Sequence, residues 1–252
     1  MSDVVTEHSR RRRVVASSLI AHRGASSLAP ENTLIAMRKA AQQGATWLEV
    51  DVKLTRDGQP VIIHDDRVDR TTNGRGLVAG LTLAEIRQLD ARAHFDDAFA
   101  GVTIPTLQEL IECVLELDMG LQLELKPTAG DDVETAEVAL AVLKSMWPAN
   151  RDRLFLSSFS VRSIQAAARL MPDVPRAFAV VVPPKNPVAL LQETNCQILH
   201  CLSELLDDEA LHILADSGIE YAVAIVNDAA QARRFLDKGA QTVLSDIPDL
   251  LG

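Results

Sequence analysis

The sequence predicts an α/β fold, a (β/α)8 TIM barrel, and three observations carry that reading. Short, apolar, β-rich runs alternate with helical patterns along nearly the whole chain. Eight such runs begin near positions 18, 47, 121, 154, 176, 197, 221 and 242. From the third onward most recur at roughly the 20–30-residue length of a βα unit. No Gly-rich phosphate loop follows any strand, which argues against an open doubly wound sheet. With 252 residues, 47% of them apolar, the chain fits one barrel domain over 1–252 with a sizeable core.

Residues 1–14, with "RRRR" at 10–13, read as a disordered, partly basic tail; the apolar run behind it is too short for an export signal and leads straight into a strand. "SLIAH" (18–22) is that strand. An amphipathic segment over 32–43 follows, capped by Asn32 and closed by Gly44. "WLEVDVKL" (47–54) is the second strand. "RDGQ" then signals a tight hairpin. A turn centred on Asp57 and Gly58 pairs positions that sum to 115, setting Asp51 opposite His64. Residues 66–105, with the turn signal "TTNGRG" and one short helical pattern, read as an insertion over the C-terminal rim of the barrel. Helical patterns follow at 106–117, 133–146, 160–170, 187–194, 207–217 and 229–238, between "LQLELK", "LFLSSF", "RAFAVVV", "QILH", "YAVAIVN" and "TVLSD".

Composition narrows the partners. A net charge of −10 argues against a nucleic-acid surface, so an anionic substrate must be attracted locally by a metal or a few basic groups. Cys113, Cys196 and Cys201 lack metal-site spacing and read as reduced thiols, which points to the cytoplasm. No run is long enough for stable membrane insertion.

The polar residues closing the strands carry the chemistry. His22 and Arg23 end the first, Glu49 and Asp51 the second, Glu124 and Lys126 the third; Ser157 and Ser158, His200, Asn227 and Asp246 end later ones. A barrel gathers such groups at its C-terminal rim. Glu49 and Asp51, two apart on a strand, share a face, and Glu124 adds a third carboxylate one strand on. Either Glu49 and Glu124 pair with Arg23 and Lys126 in an ion ring, or the three acids hold one hard divalent cation, Mg²⁺ or Ca²⁺. The third acid favours the cation. His22 and His64 fit an acid–base pair for displacement at phosphorus, with Arg23 and Lys126 on the non-bridging oxygens.

At this point the residues resemble the glycerophosphodiester phosphodiesterases. "AHRG", "PENT", "EVDVKLTRDG", "PVIIHDD", "RTTNGRG", "IPTLQE", "LELK" and the closing "SD" stand in order over about residues 19–250. The resemblance implies a metal-dependent barrel that hydrolyses small-molecule glycerophosphodiesters to sn-glycerol 3-phosphate and an alcohol. It also implies that Glu49, Asp51 and Glu124 are metal ligands, His22 and His64 the acid–base pair, and Arg23 and Lys126 phosphate contacts. The seventh strand departs from many members, reading Ala224-Ile225-Val226-Asn227 where an aromatic is common; this bears on the head group and not on the reaction. Two competing functions are a lysophospholipase D or sphingomyelinase D-like enzyme, which would need an apolar mouth, and a non-catalytic metabolite-binding barrel. Completeness of the set His22, Glu49, Asp51, His64 and Glu124 argues against the second.

Overall fold

A computed structural model describes residues 13–92 and 95–252. Its first elements are β1 (Leu19–His22), α1 (Leu34–Gln42), β2 (Trp47–Leu54), β3 (Pro60–Ile62), α2 (Leu83–Ile86) and α3 (Leu107–Glu116). There follow β4 (Gly120–Leu125), α4 (Asp132–Met146), β5 (Leu154–Ser158), α5 (Val161–Leu170), β6 (Arg176–Val180) and α6 (Pro187–Thr194). The last are β7 (Ile198–Leu202), α7 (Asp208–Asp216), β8 (Glu220–Ala224), α8 (Ala229–Asp237) and β9 (Thr242–Ser245).

Eight of these strands run parallel, and pairing of β1 with both β2 and β9 closes them into a barrel. The eight predicted runs are these eight strands. The helices pack outside, burying residues such as Leu107, Leu110, Leu140 and Ala167 on one flank and Leu211, Leu214 and Phe235 on the other.

Two expectations about local structure change. The hairpin pairs Val52 with Ile62 and Lys53 with Val61, so opposed positions sum to 114 and Asp51 faces Ile63. Thr55 and Gln59 close a loop of Arg56, Asp57 and Gly58, with Gly58 at φ +71°. A three-residue loop ending on a left-handed glycine shifts the register by one relative to a two-residue turn. His64 lies one residue further on, where the chain bends off the sheet. The tail expected over 1–14 falls, for 1–12, outside the described residues. Val14, however, is tied down: its N–H donates to Glu220 Oε2 at 3.1 Å, and Val15 is buried in the barrel floor.

That floor decides where the site can be. Val15, Ile20, Trp47, Phe155, Ala177, Ile198, Ala222 and Leu244 fill the N-terminal half of the barrel. Trp47 reaches across over Gly120, where a Cβ would stand 2.3 Å from its ring. Only glycine leaves room for the indole there. With the lower half sealed by apolar packing, polar inward residues can meet water only at the C-terminal mouth.

The segment from Ile63 to Pro105 stands between β3 and α3 with a small core of its own, in which Ile63, Val68, Val78, Ile86, Ala91 and Ile104 pack on Val61. Lys53, buried on β2, anchors its start by donating to Asp66 Oδ1 at 2.6 Å and to the Lys126 carbonyl at 3.1 Å.

Candidate active site

Along β2 one face reads Trp47, Glu49, Asp51 and Lys53 from floor to mouth. β4 lies beside it with Glu124 in register with Asp51, and Gln122 with Glu49. One carboxylate oxygen from each of Glu49, Asp51 and Glu124 lies within 4.8 Å of the others, and all three residues are buried. The three acids therefore converge, as the spacing predicted.

The two basic residues come to the same place and neutralise only part of the cluster. Arg23 Nε is 3.2 Å from Asp51 Oδ2; Lys126 Nζ is 3.5 Å from Asp51 Oδ1 and 2.9 Å from Glu124 Oε1. Glu49 receives neither side chain. Its Oε2 accepts the Arg23 backbone N–H at 3.2 Å, and its buried Oε1 has no hydrogen-bond partner among the described residues. The acids titrate accordingly. Burial pushes Asp51 up, but Arg23 and Lys126 outweigh it and bring the carboxyl to about 2. Burial, reinforced by the neighbouring carboxylates, holds Glu49 well above its ordinary value and raises Glu124 as well. Such a set, all oxygen and one charge short of compensation, suits a hard divalent cation such as Mg²⁺ or Ca²⁺. The ion-ring alternative accounts for Asp51 and Glu124 but leaves Glu49 unmatched.

The loop after β1 explains the "HRG" and "PENT" motifs. Arg23 and Gly24 take φ of +56° and +80°, a reversal so tight that a Cβ on Gly24 would lie 2.7 Å from the Ala36 backbone. Asn32, also left-handed at φ +57°, bonds its N–H to the Arg23 carbonyl and closes the loop. It is not the helix cap expected from sequence: Thr33 caps α1 by accepting from the Ala36 N–H. The Asn32 amide instead donates to Asp51 Oδ2 at 2.9 Å. Asparagine is among the few side chains that tolerate this backbone, so one residue serves both the turn and the site.

Each histidine is held by a carboxylate on one nitrogen. His22 Nδ1 lies 2.7 Å from Asp246 Oδ1, and its Nε2 is 3.8 Å from Glu49 Oε2. Asp246 is fixed in turn by Ser26 and Asn227; burial pushes its carboxyl up, but His22, by hydrogen bond and charge, together with Asn227 and Ser26 outweighs it and brings the carboxyl to about 2. His64 Nδ1 lies 2.6 Å from Asp65 Oδ1. Burial lowers the His64 pKa, with Arg23 and Lys126 adding to the effect against Asp51. An ionised carboxylate can only accept, so Nδ1 carries the hydrogen in both rings and Nε2 is the working nitrogen. His64 reaches the field of Asp51 in spite of the shifted register, because the chain bends after Ile62.

Asp65, Arg70 and Glu31 were missed as site residues, although "PENT", "PVIIHDD" and "RTTNGRG" contain them. Ser157 and His200 stand one layer lower: Gln122 Nε2 donates to Ser157 Oγ at 2.9 Å and lies 3.3 Å from His200 Nδ1. Ser158 points away and donates to the Leu125 carbonyl. Phe159 is exposed at the rim, with Lys126 Nζ 5.4 Å from its ring centre.

A closed barrel with buried acids, fixed bases and two carboxylate-held imidazoles at its C-terminal mouth defines an enzyme working on a charged, oxygen-rich substrate. Residues 22–250 match the model of the glycerophosphoryl diester phosphodiesterase family, and the chain belongs to that family. It is thereby a phosphoric diester hydrolase. A glycerophosphodiester phosphodiesterase of Caldanaerobacter subterraneus is 32% identical over 92% of this chain and 95% of its own. Human glycerophosphodiester phosphodiesterase 1 is 50% identical over 38% of this chain and 30% of its own. Among solved structures, an Oleispira antarctica phosphodiesterase in complex with the product sn-glycerol-3-phosphate is 38% identical, with a TM-score of 0.89 over 93% of this chain and 94% of that one.

Proposed function

We propose that the protein hydrolyses glycerophosphodiesters to sn-glycerol 3-phosphate and an alcohol, with Glu49, Asp51 and Glu124 holding one divalent cation, Mg²⁺ or Ca²⁺. The observation that carries this reading is the uncompensated acid cluster at the barrel mouth, with Nδ1 of both histidines anchored and Nε2 left for chemistry. The Oleispira relative's product is the one this reaction would release. When bound, the cation supplies Lewis-acid stabilisation of charge on the phosphoryl oxygens.

The chain's own residues do the rest. Arg23 and Lys126, already facing the acids, bind non-bridging phosphoryl oxygens and stabilise charge that grows in the transition state. One imidazole takes the proton of the attacking oxygen through Nε2, and the other delivers a proton to the leaving alkoxide. Asp246 and Asp65 keep both rings in the tautomer this requires. The phosphorus–oxygen bond to the alcohol breaks as the bond to the attacking oxygen forms, and the elements of water are divided between the two products.

The test is a panel of glycerophosphodiesters, assayed with and without chelator and with products identified. Turnover of glycerophosphocholine that vanishes on metal removal and returns with Mg²⁺ or Ca²⁺ is expected; turnover unaffected by chelation removes the cation from the reading. His22→Ala and His64→Ala should each lose roughly 10²- to 10⁴-fold in rate. A diester with a nitrophenol leaving group needs no acid, so the variant it rescues is the one lacking the acid.

A second reading gains from the rim itself. Phe159, Val181, Val182 and Leu205, each within three residues of the C-terminal end of a strand, are exposed, as is Leu28 in the loop after β1. Three of the strands they follow, β5, β6 and β7, are neighbours in the barrel, and β5 lies beside β4. Exposed apolar side chains at the rim favour acceptance of a lysophospholipid, in the manner of a lysophospholipase D. Comparing lysophosphatidylcholine with glycerophosphocholine in the same assay decides it. No described helix is long and apolar enough to cross a membrane.

A further inference from the structure

We infer that Arg70, in the segment between β3 and α3, is a positioning residue that sets His64 and Arg23 in one frame. The inference rests on the hydrolytic reading above for what His64 and Arg23 do, and on geometry for how they are held.

Arg70 forks onto two carboxylates. Nε donates to Asp65 Oδ2 at 2.6 Å and Nη2 to Asp65 Oδ1 at 3.1 Å, while Nη1 and Nη2 donate to Glu31 Oε2 and Oε1 at 2.6 and 2.9 Å. Each carboxylate then holds one working side chain. Asp65 Oδ1 lies 2.6 Å from His64 Nδ1, and Glu31 Oε1 accepts from Arg23 Nη1 at 2.8 Å. Arg23 ends the relay on Asp51. A single guanidinium thus joins two parts of the chain that no strand pairing connects, the loop after β1 and the bend after β3.

The chemistry suits the task. A guanidinium is planar, always charged, and presents five donors in a fixed fork, so it can orient two carboxylates at once. A lysine could neutralise either acid but could not hold both in one plane. The Arg70 side chain is 41% exposed, and a guanidinium forked onto two carboxylates also contributes to stability, so the test must separate aim from folding. The start of the segment already has a separate anchor in Lys53 and Asp66. What Arg70 adds is aim: without it His64 keeps Asp65 as partner, but Asp65 loses what fixes its plane.

The experiment compares the full-length protein with Arg70→Gln, Arg70→Lys and Arg70→Ala, on glycerophosphocholine with the activating metal present. Thermal melts establish that each variant folds. We expect Arg70→Gln to lower kcat roughly 10- to 100-fold, the scale of a misplaced catalytic group, with KM changing much less. Arg70→Lys should recover little of this, and added methylguanidine should restore part of the activity of Arg70→Ala. The ¹⁵N resonances of the His64 ring, followed without substrate or metal, should show a weakened Nδ1 hydrogen bond in Arg70→Gln. Overturning results are an Arg70→Gln enzyme within twofold of wild-type kcat, a fully active Arg70→Lys enzyme, or losses that track the unfolded fraction. If the wild-type chain does not turn over glycerophosphocholine, the hydrolytic reading fails, and an unchanged or changed His64 resonance still decides the role of Arg70.

Discussion

Glu49 is the acid of the cluster with which neither the Arg23 nor the Lys126 side chain pairs. Its carboxyl is held well above the ordinary range by burial and by Asp51 and Glu124, and one oxygen has no hydrogen-bond partner among the described residues. Replacing it with glutamine removes a like charge from a crowded site. Glu49→Gln should therefore melt at the same or a higher temperature than wild type in chelator, while the rise in melting temperature on adding Mg²⁺ or Ca²⁺ disappears. A variant that melts lower in chelator and still gains from the metal would show that Glu49 is not a ligand. His200 gives a second test. It is buried, and burial alone lowers its pKa to about 4 from 6.5. Between those values the unfolded chain binds a proton that the folded chain does not, so stability falls as pH drops through the window and is flat above it. The loss reaches about 3 kcal/mol at the lower end. In urea melts from pH 7.5 to 4, His200→Gln should flatten that part of the profile relative to wild type.

At the scale of the element, β2 and β4 are the strands on which the site depends. Their inward faces change from apolar to charged within three side chains, and Gly120 makes the lower part possible by leaving space for Trp47. Gly120→Ala should cost about 1–3 kcal/mol through overpacking, and a second change, Trp47→Phe, should relieve part of it. Denaturant melts of the single and double variants measure the coupling; additive losses would mean that the two side chains do not compete for the same space. Strand identity was legible here because period-two alternation and β-rich runs depend on neighbours in sequence. Register was not. Whether the hairpin loop holds two or three residues is settled by where Gly58 adopts a left-handed backbone, and "RDGQ" is compatible with both. Asn32 misled for a similar reason, since an Asn before a helix looks like a cap until Thr33 takes that place.

Over the whole molecule, a net charge of −10 is set against three basic groups at the mouth. Arg23, Lys126 and Arg70 all stand among acids at one mouth. In the proposed reaction, overall repulsion of anions would be offset locally by these groups and by the proposed cation. Turnover of an anionic diester should rise with moderate salt, as screening weakens the unfavourable long-range field more than the buried contacts. Stopped-flow or initial-rate measurements of kcat/KM from 20 to 200 mM NaCl, a range on the order of that over which the Debye length shortens most, would show it. A steady fall instead would mean that the mouth is electropositive at long range.

The sequence alone determined the barrel and brought three acids, two histidines and two basic residues to its rim as candidates. Each of these follows from local patterns: apolar runs of strand length, residues two apart on one strand, polar residues at strand ends. Tertiary structure decided which acid the Arg23 and Lys126 side chains leave unpaired, and what holds each imidazole. Those properties belong to contacts between segments far apart in the chain, such as Asp246 with His22 and Arg70 with Glu31. Burial and charge compensation are sums over such neighbours, and they take their values only once the barrel has closed.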